Sequence, residues 1–259
     1  MPEQNGAQAR PYPGRLIVIE GIDGAGKSTQ AALLRAWLEG QGYVVVHSRW
    51  NSAPVVRPLT RRAKRERLFT PLTFSLVHAA DLANRLHARI VPALAAGAVV
   101  VSDRYCPTAY ARDAARGVDS EWLRRLFSFA PRADLTILLR LPADEAAARL
   151  LAGNRKVSFY EAGADLGLHA DRARSLQLFL ERLVEEYDRL ADDDEIHLLD
   201  ATRPVPEIQR QIRALVAPLL DDRLLRRPAE SLAAVLAAYG LRGRHLLAEA
   251  RGGGGENDA

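Results

Sequence analysis

The stretch Gly21-Ile22-Asp23-Gly24-Ala25-Gly26-Lys27-Ser28 constrains this chain more than any other. It follows the apolar run Leu16-Ile17-Val18-Ile19-Glu20 and precedes Thr29-Gln30-Ala31-Ala32-Leu33-Leu34, so a strand feeds a glycine-rich turn that opens a helix. The spacing G-x-x-x-x-G-K-[ST] is that of a phosphate-binding loop. Glycines let backbone N–H groups curl around phosphate oxygens, and the first helical turn adds orphan donors and the positive end of a dipole. In such a loop Lys27 reaches the β- and γ-phosphates of ATP and Ser28 ligates Mg²⁺. Gly21, Ile22, Asp23, Gly24, Ala25, Gly26, Lys27, Ser28 and Thr29 form the expected cradle.

Further apolar runs at 43–47, 98–102, 135–139 and 196–199 alternate with amphipathic stretches, which predicts an α/β fold with a parallel sheet, doubly wound or three-layered. Ligands of open α/β sheets lie at the carboxyl ends of strands. Arg49, at the end of the second run, is therefore a candidate for a second substrate. Asp103-Arg104-Tyr105 closes the third run: the carboxylate suits orientation of Mg²⁺ or its water shell, and Arg104 can hold a phosphoryl group bidentately.

From Pro71 to Gly97 the pattern predicts one long helix, with Leu72, Leu76, Ala79, Ala83, Leu86, Ile90 and Leu94 as its core stripe. His78, Asp81 and Arg85 fall off that stripe at spacings that let them present together, although each alone reads as a surface or satisfied polar residue. Tyr110, Arg112, Asp113 and Arg116 lie in a polar stretch that reads as a substrate-facing loop. The glycine-bounded segment 153–167 reads as a hinged lid whose closure would exclude water, with Arg149, Arg155 and Lys156 bringing cations to the transferring phosphoryl group. The basic run 57–67 reads either as a solvated helix face or as a surface gathering a polyphosphate or another acidic partner. It lacks interleaved aromatic residues, which argues against a single-strand nucleic-acid platform.

At 259 residues with a formal charge of +4, the chain suits one main domain and an anionic ligand. Cys106 is the single cysteine, which excludes an intrachain disulfide and fits a reducing, cytoplasmic setting. No apolar run is long enough to span a membrane. Residues 1–14 read as a loose arm, 15–220 as the domain, and 221–259 as a helical pair followed by a disordered tail.

Over roughly residues 15–220 the sequence resembles the thymidylate kinase family of P-loop nucleoside monophosphate kinases. The resemblance is carried by Glu20-Gly21-Ile22-Asp23-Gly24-Ala25-Gly26-Lys27-Ser28-Thr29-Gln30, by Pro92-Ala93-Leu94-Ala95-Ala96-Gly97 ahead of Asp103-Arg104-Tyr105, and by Pro131-Arg132-Ala133-Asp134-Leu135-Thr136. It implies a five-stranded parallel sheet, ATP–Mg²⁺ as donor, a nucleoside monophosphate, typically dTMP, as acceptor, and a homodimer. By position it implies Asp23 near the acceptor's 3′-hydroxyl, Arg104 and Arg49 at its phosphate, Tyr110 at its base pocket, and Arg155 and Lys156 as lid cations. His78 and Leu82 stand where the family carries a stacking phenylalanine and a base-contacting arginine, with Arg85 one turn beyond as a substitute. This departure leaves two alternatives: a kinase for another nucleotide or small phosphorylated acceptor, or a nucleotide-binding regulatory protein with a degenerate acceptor site.

Overall fold

The computed structural model describes residues 12–226 apart from 154, 155 and 194. The predicted residues 1–11 of the arm, Arg155 of the lid, and the helical pair and tail beyond 226 lie outside the described residues.

Five short strands, β1 (Arg15–Glu20), β2 (Val45–Arg49), β3 (Val99–Asp103), β4 (Leu135–Arg140) and β5 (Ile196–Asp200), form one parallel sheet in the order β2-β3-β1-β4-β5. Helices cover both faces, as parallel strands require. Side chains alternate across the sheet. Ile17, Ile19, Val99 and Val101 pack on one face with Leu34 and Leu38 of α1 (Lys27–Gly40). Leu16, Val18 and Val100 pack on the other with Leu82 and Ile90.

The chain continues through α2 (Arg57–Glu66), α3 (Pro71–Arg85) and α4 (Val91–Ala95). The single helix predicted to run to Gly97 is thus two helices joined by a π turn over Leu86–Ile90. Pro92 supplies the reason, because its ring and missing N–H disrupt the α ladder one turn upstream. The predicted stripe is also rotated at its start. Leu72 and Leu76 are 51% and 47% exposed, while Phe74, Ser75, His78, Asp81, Leu82 and Arg85 are buried. Polar groups occupy the buried face because it lines a cavity and a buried ion pair instead of a purely apolar core.

The remaining helices are α5 (Cys106–Ala114), α6 (Ser120–Leu126), α7 (Ala143–Ala152), α8 (Arg172–Asp193) and α9 (Val205–Val216). The polar stretch expected as a loop is therefore mostly helix α5. Residues past 220 still belong to the body: Leu225 accepts from Val44 N and donates to Gly97 O, and the buried Arg15 pairs with Asp221 at 2.5 Å.

Candidate active site

The glycine-rich loop, Arg49 and Asp103-Arg104 meet at the carboxyl edge of the sheet. Parallel register sets Ile19 beside Asp103 and Arg49 beside Asp103, so the ends of β1, β2 and β3 coincide. The loop after β1 turns through Gly21 (φ 138°), Gly24 (φ 87°) and Gly26 (φ 85°) before α1 begins. A Cβ at Gly21 would meet Leu139 O at 2.6 Å, so only glycine lets the loop pass β4.

A cleft of about 290 Å³ is lined by Asp23, Gly24, Gly26, Lys27, Ser28, Thr29, Arg49, Trp50, Asp103, Arg104 and Leu150. Lys27 Nζ donates to Ile22 O at 2.6 Å, and Ser28 Oγ donates to Asp103 Oδ2 at 2.5 Å. Burial, followed by the nearby Arg104, pushes Lys27 down to about 7. Asp23, Asp103 and Glu20 oppose that shift, and a polyphosphate beside the amine would oppose it further.

Next to this cleft lies a second cavity of about 200 Å³. Asp23, Trp50 and Arg104 line both. Asn51, Lys64, Phe74, His78, Thr108, Arg112, Arg116, Ser158, Tyr160 and Glu161 complete it. Asp23 joins the two: one oxygen accepts from Arg104 and the other from Arg112 Nη1 at 2.8 Å. Burial opposes its ionisation, but Arg112, Arg104 and Lys27 together hold the carboxyl well below the usual carboxylate range.

Arg104 has a φ of 75°, a conformation rarely adopted by an L side chain. Glu20 holds the following turn: it is fully buried and accepts from Tyr105 N (2.6 Å), Thr108 N (3.2 Å), Thr108 Oγ1 (2.6 Å) and Tyr187 OH (3.0 Å). Burial raises its pKa, opposed by these bonds and by Arg104.

Several expected residues take other positions. Tyr110 does not line this cavity; its ring packs edge-on to Phe127, 6.0 Å away, on another flank of α5. Helical geometry explains it, because the cavity-facing positions of α5 belong to Thr108 and Arg112. Arg85 is buried behind the wall, bonded to Asp81 (2.8 Å) and Ser48 (2.8 Å) and stacked 5.3 Å from Trp50. Asp81 in turn accepts from Asn51 N and Ala53 N, so the pair shapes the turn after β2, where Asn51 takes φ 55°. Arg149 is exposed and donates to Gly24 O at 3.4 Å, flanking the loop from outside. Lys156 is exposed and lines neither cavity. The described part of the expected lid is docked down: Arg116 binds Asp165 and Tyr160 O, and Tyr160 OH accepts from Phe69 N.

Sequence reasoning missed Lys64. It sits within the basic run but turns into the cavity, with Nζ 5.5 Å from the Phe74 ring centroid. Burial, then Arg112, pushes it down to about 8. Its place four residues ahead of Leu68 and ten ahead of Phe74 carries no signal that separates it from the exposed Arg61, Arg62 and Arg65.

Residues 19–212 match the family model "Thymidylate kinase". The chain belongs to the thymidylate kinase family. Among its relatives in that family, "Probable thymidylate kinase 2" of Saccharolobus solfataricus is 38% identical over 212 residues, covering 82% of this chain and 99% of that protein. "Probable thymidylate kinase" of Thermococcus gammatolerans is 38% identical over 78% of this chain and 96% of its own length. "Thymidylate kinase" of Leifsonia xyli subsp. xyli is 36% identical over 78% and 93%. The thymidylate kinase match thus spans β2 to β5, the end of β1, the glycine-rich loop and the docked segment, and no described helix is long and apolar enough to cross a membrane.

Proposed function

We propose that this protein transfers the γ-phosphoryl group of ATP to the phosphate of dTMP, producing ADP and dTDP. The observation that carries the reading is the shared wall: Asp23, Trp50 and Arg104 border both the phosphate-loop cleft and the second cavity, so two phosphorylated ligands would meet there. The names of its relatives favour dTMP over another acceptor and over a regulatory role. Charge agrees: Lys64, Arg104, Arg112 and Arg116 line the second cavity against two carboxylates, Asp23 and Glu161, a surplus that matches a phosphomonoester dianion.

No covalent intermediate on the protein is needed. The loop amides and Lys27 hold the donor phosphates, while Arg49 and Arg104 hold the acceptor phosphate in line with the γ-phosphorus. Asp23, released from Arg104 as the phosphate arrives, accepts from the acceptor's 3′-hydroxyl. His78 and Tyr160 border its base. By the lid reading and the family resemblance, Arg149, Arg155 and Lys156 supply further positive charge to the transferring group. Ser28 and Asp103 converge as a hydroxyl and a carboxylate, an all-oxygen donor set that would hold Mg²⁺. When bound, Mg²⁺ neutralises charge on the transferring phosphate.

The exposed Leu72 and Leu76, with Ala80 and Ala83 on the same flank of α3, support a homodimer closed through this face. The cytoplasm, with its ATP and reducing conditions, suits such an enzyme with one buried cysteine. The experiment is coupled ADP release from ATP–Mg²⁺ with dTMP, dUMP, dCMP, dGMP and dAMP in parallel. Stimulation chiefly by dTMP is expected; stimulation by another acceptor, or by none, overturns the reading.

A further inference from the structure

The far wall of the second cavity contains an unusual concentration of unsatisfied polar atoms. His78 lines the cavity, is 3% exposed, and has both ring nitrogens buried without a hydrogen-bond partner among the described residues. Asp113 is fully buried, does not line the cavity, and has neither carboxylate oxygen hydrogen-bonded among the described residues. His78 Nδ1 lies 3.9 Å from Asp113 Oδ1. Asn51 Oδ1 is a further buried, unpaired acceptor beside the same cavity. Buried polar atoms are costly when unpaired, so His78 and Asn51, which line the cavity, are open to completion by a ligand, while Asp113 behind them can be completed only by His78.

The surroundings fix the ring's plane but not its proton. Trp50 and Phe74 flank His78 at centroid distances of 5.1 and 5.0 Å. Neutral imidazole carries one N–H and one lone pair, and the partner of one nitrogen decides which nitrogen keeps the proton. A shift of about an ångström would bring Nδ1–H into hydrogen-bond range of the Asp113 carboxylate. The proton would then stay on Nδ1, leaving Nε2 as a lone-pair acceptor.

We propose that Asp113 is a positioning residue that holds His78 as the Nδ1–H tautomer, so that Nε2 accepts the N3–H of a 4-keto pyrimidine and rejects the 4-amino kind. This rests on the reading of the second cavity as the dTMP site. A 4-keto pyrimidine has a proton on N3, whereas a neutral 4-amino pyrimidine presents a lone pair there, which would oppose the Nε2 lone pair. A site built for one polar edge discriminates far more strongly than one built for shape alone. Asn51 can turn either end of its amide to the neighbouring carbonyl or amino group.

The probes are dTMP and 5-methyl-dCMP, which differ only at this edge. In wild-type protein carrying ¹⁵N-labelled histidine, long-range ¹⁵N–¹H spectra are expected to show His78 with Nδ1 protonated and Nε2 bare, the resonance being assigned by its loss in His78→Gln. Asp113→Asn, whose amide can instead donate to Nδ1, is expected to shift the ring toward the Nε2–H form. It should raise KM for dTMP about 10- to 100-fold and lower the preference for dTMP over 5-methyl-dCMP at least about tenfold, while KM for ATP changes less than about twofold. An Nε2–H tautomer in the wild type, or an unchanged preference in folded Asp113→Asn, overturns the proposal. If Asp113→Asn does not fold, the wild-type tautomer and the preference of His78→Gln decide. Wild-type protein that fails to use dTMP refutes the function proposed above, and the pairing of Asp113 with His78 then stands or falls on the tautomer alone.

Discussion

Ser28 Oγ donates a 2.5 Å hydrogen bond to Asp103 Oδ2, joining the first turn of α1 to the end of β3. The two groups are 75 residues apart in sequence and meet because β1 and β3 are paired in register. Asp103→Asn keeps the shape of the side chain but removes its charge, so the water shell of a bound cation loses its anionic acceptor. We expect kcat to fall about 100-fold and the Mg²⁺ concentration for half-maximal rate to rise at least about tenfold. A Mg²⁺ titration of initial rates checks this, and an unchanged midpoint would remove Asp103 from the metal's surroundings.

Lys27 makes ATP binding a protonation event. Burial and Arg104 push its pKa down to about 7 in the free protein, so the neutral amine gains ground as pH rises above neutrality. A triphosphate beside it favours the charged form and raises that pKa. ATP binding above neutral pH should therefore take up protons. Calorimetry in buffers of different ionisation enthalpy measures the uptake, and Lys27→Met should abolish it while lowering kcat about 100- to 1,000-fold.

The glycine-rich loop and the strand ends around it are legible in the sequence itself. The glycine-rich loop and Asp103-Arg104 are read from local spacing, because phosphate binding by backbone amides demands glycine at fixed offsets and a strand must end where the acid begins. The sheet was legible for the same reason, since strands buried on both faces are apolar throughout. The second cavity is legible only in part: the family resemblance points to Asp23, His78 and Arg104, which line it, but not to Lys64 or Phe74. His78, Asp81 and Arg85 are polar residues on a buried face, and hydrophobic periodicity assigns polar residues outward. Leu72 and Leu76 are the converse, apolar residues on an exposed face. Arg112 was placed in a loop because α5 carries Pro107 and several polar residues, yet proline in the first turn of a helix is well tolerated. The loop reading puts Tyr110, Arg112 and Arg116 side by side, whereas the helix turns Arg112 to the cavity and Tyr110 to another flank.

Lys64 predicts how acceptor use depends on pH. Burial and Arg112 lower its pKa to about 8 in the free protein, so the cation fades as pH rises from 7 to 9. A dianionic acceptor then meets a less positive cavity. We expect kcat/KM for dTMP to fall across this range, since that ratio reports groups of the free enzyme. Lys64→Met should raise KM for dTMP about tenfold at pH 7 through loss of one charged contact, and remove the descending limb centred near 8. A limb that persists in the variant would assign it to another group.

The exposed flank of α3 predicts the oligomeric state. Leu72 and Leu76 are about half exposed and lie one turn apart, so they stabilise nothing within the described protomer that water could not replace. Across a two-fold axis the same pair would pack against its own copy, and every lost contact would count twice. Leu76→Glu places a carboxylate in that contact, facing its symmetry mate without a cation. Sedimentation velocity should show the wild type as a dimer and Leu76→Glu as a monomer. Far-UV circular dichroism should match between the two, because the substituted side chain is solvent-facing in the isolated chain. A wild-type monomer at micromolar concentration would refute the dimer, and a dimeric Leu76→Glu with unchanged stability would move the interface to another face.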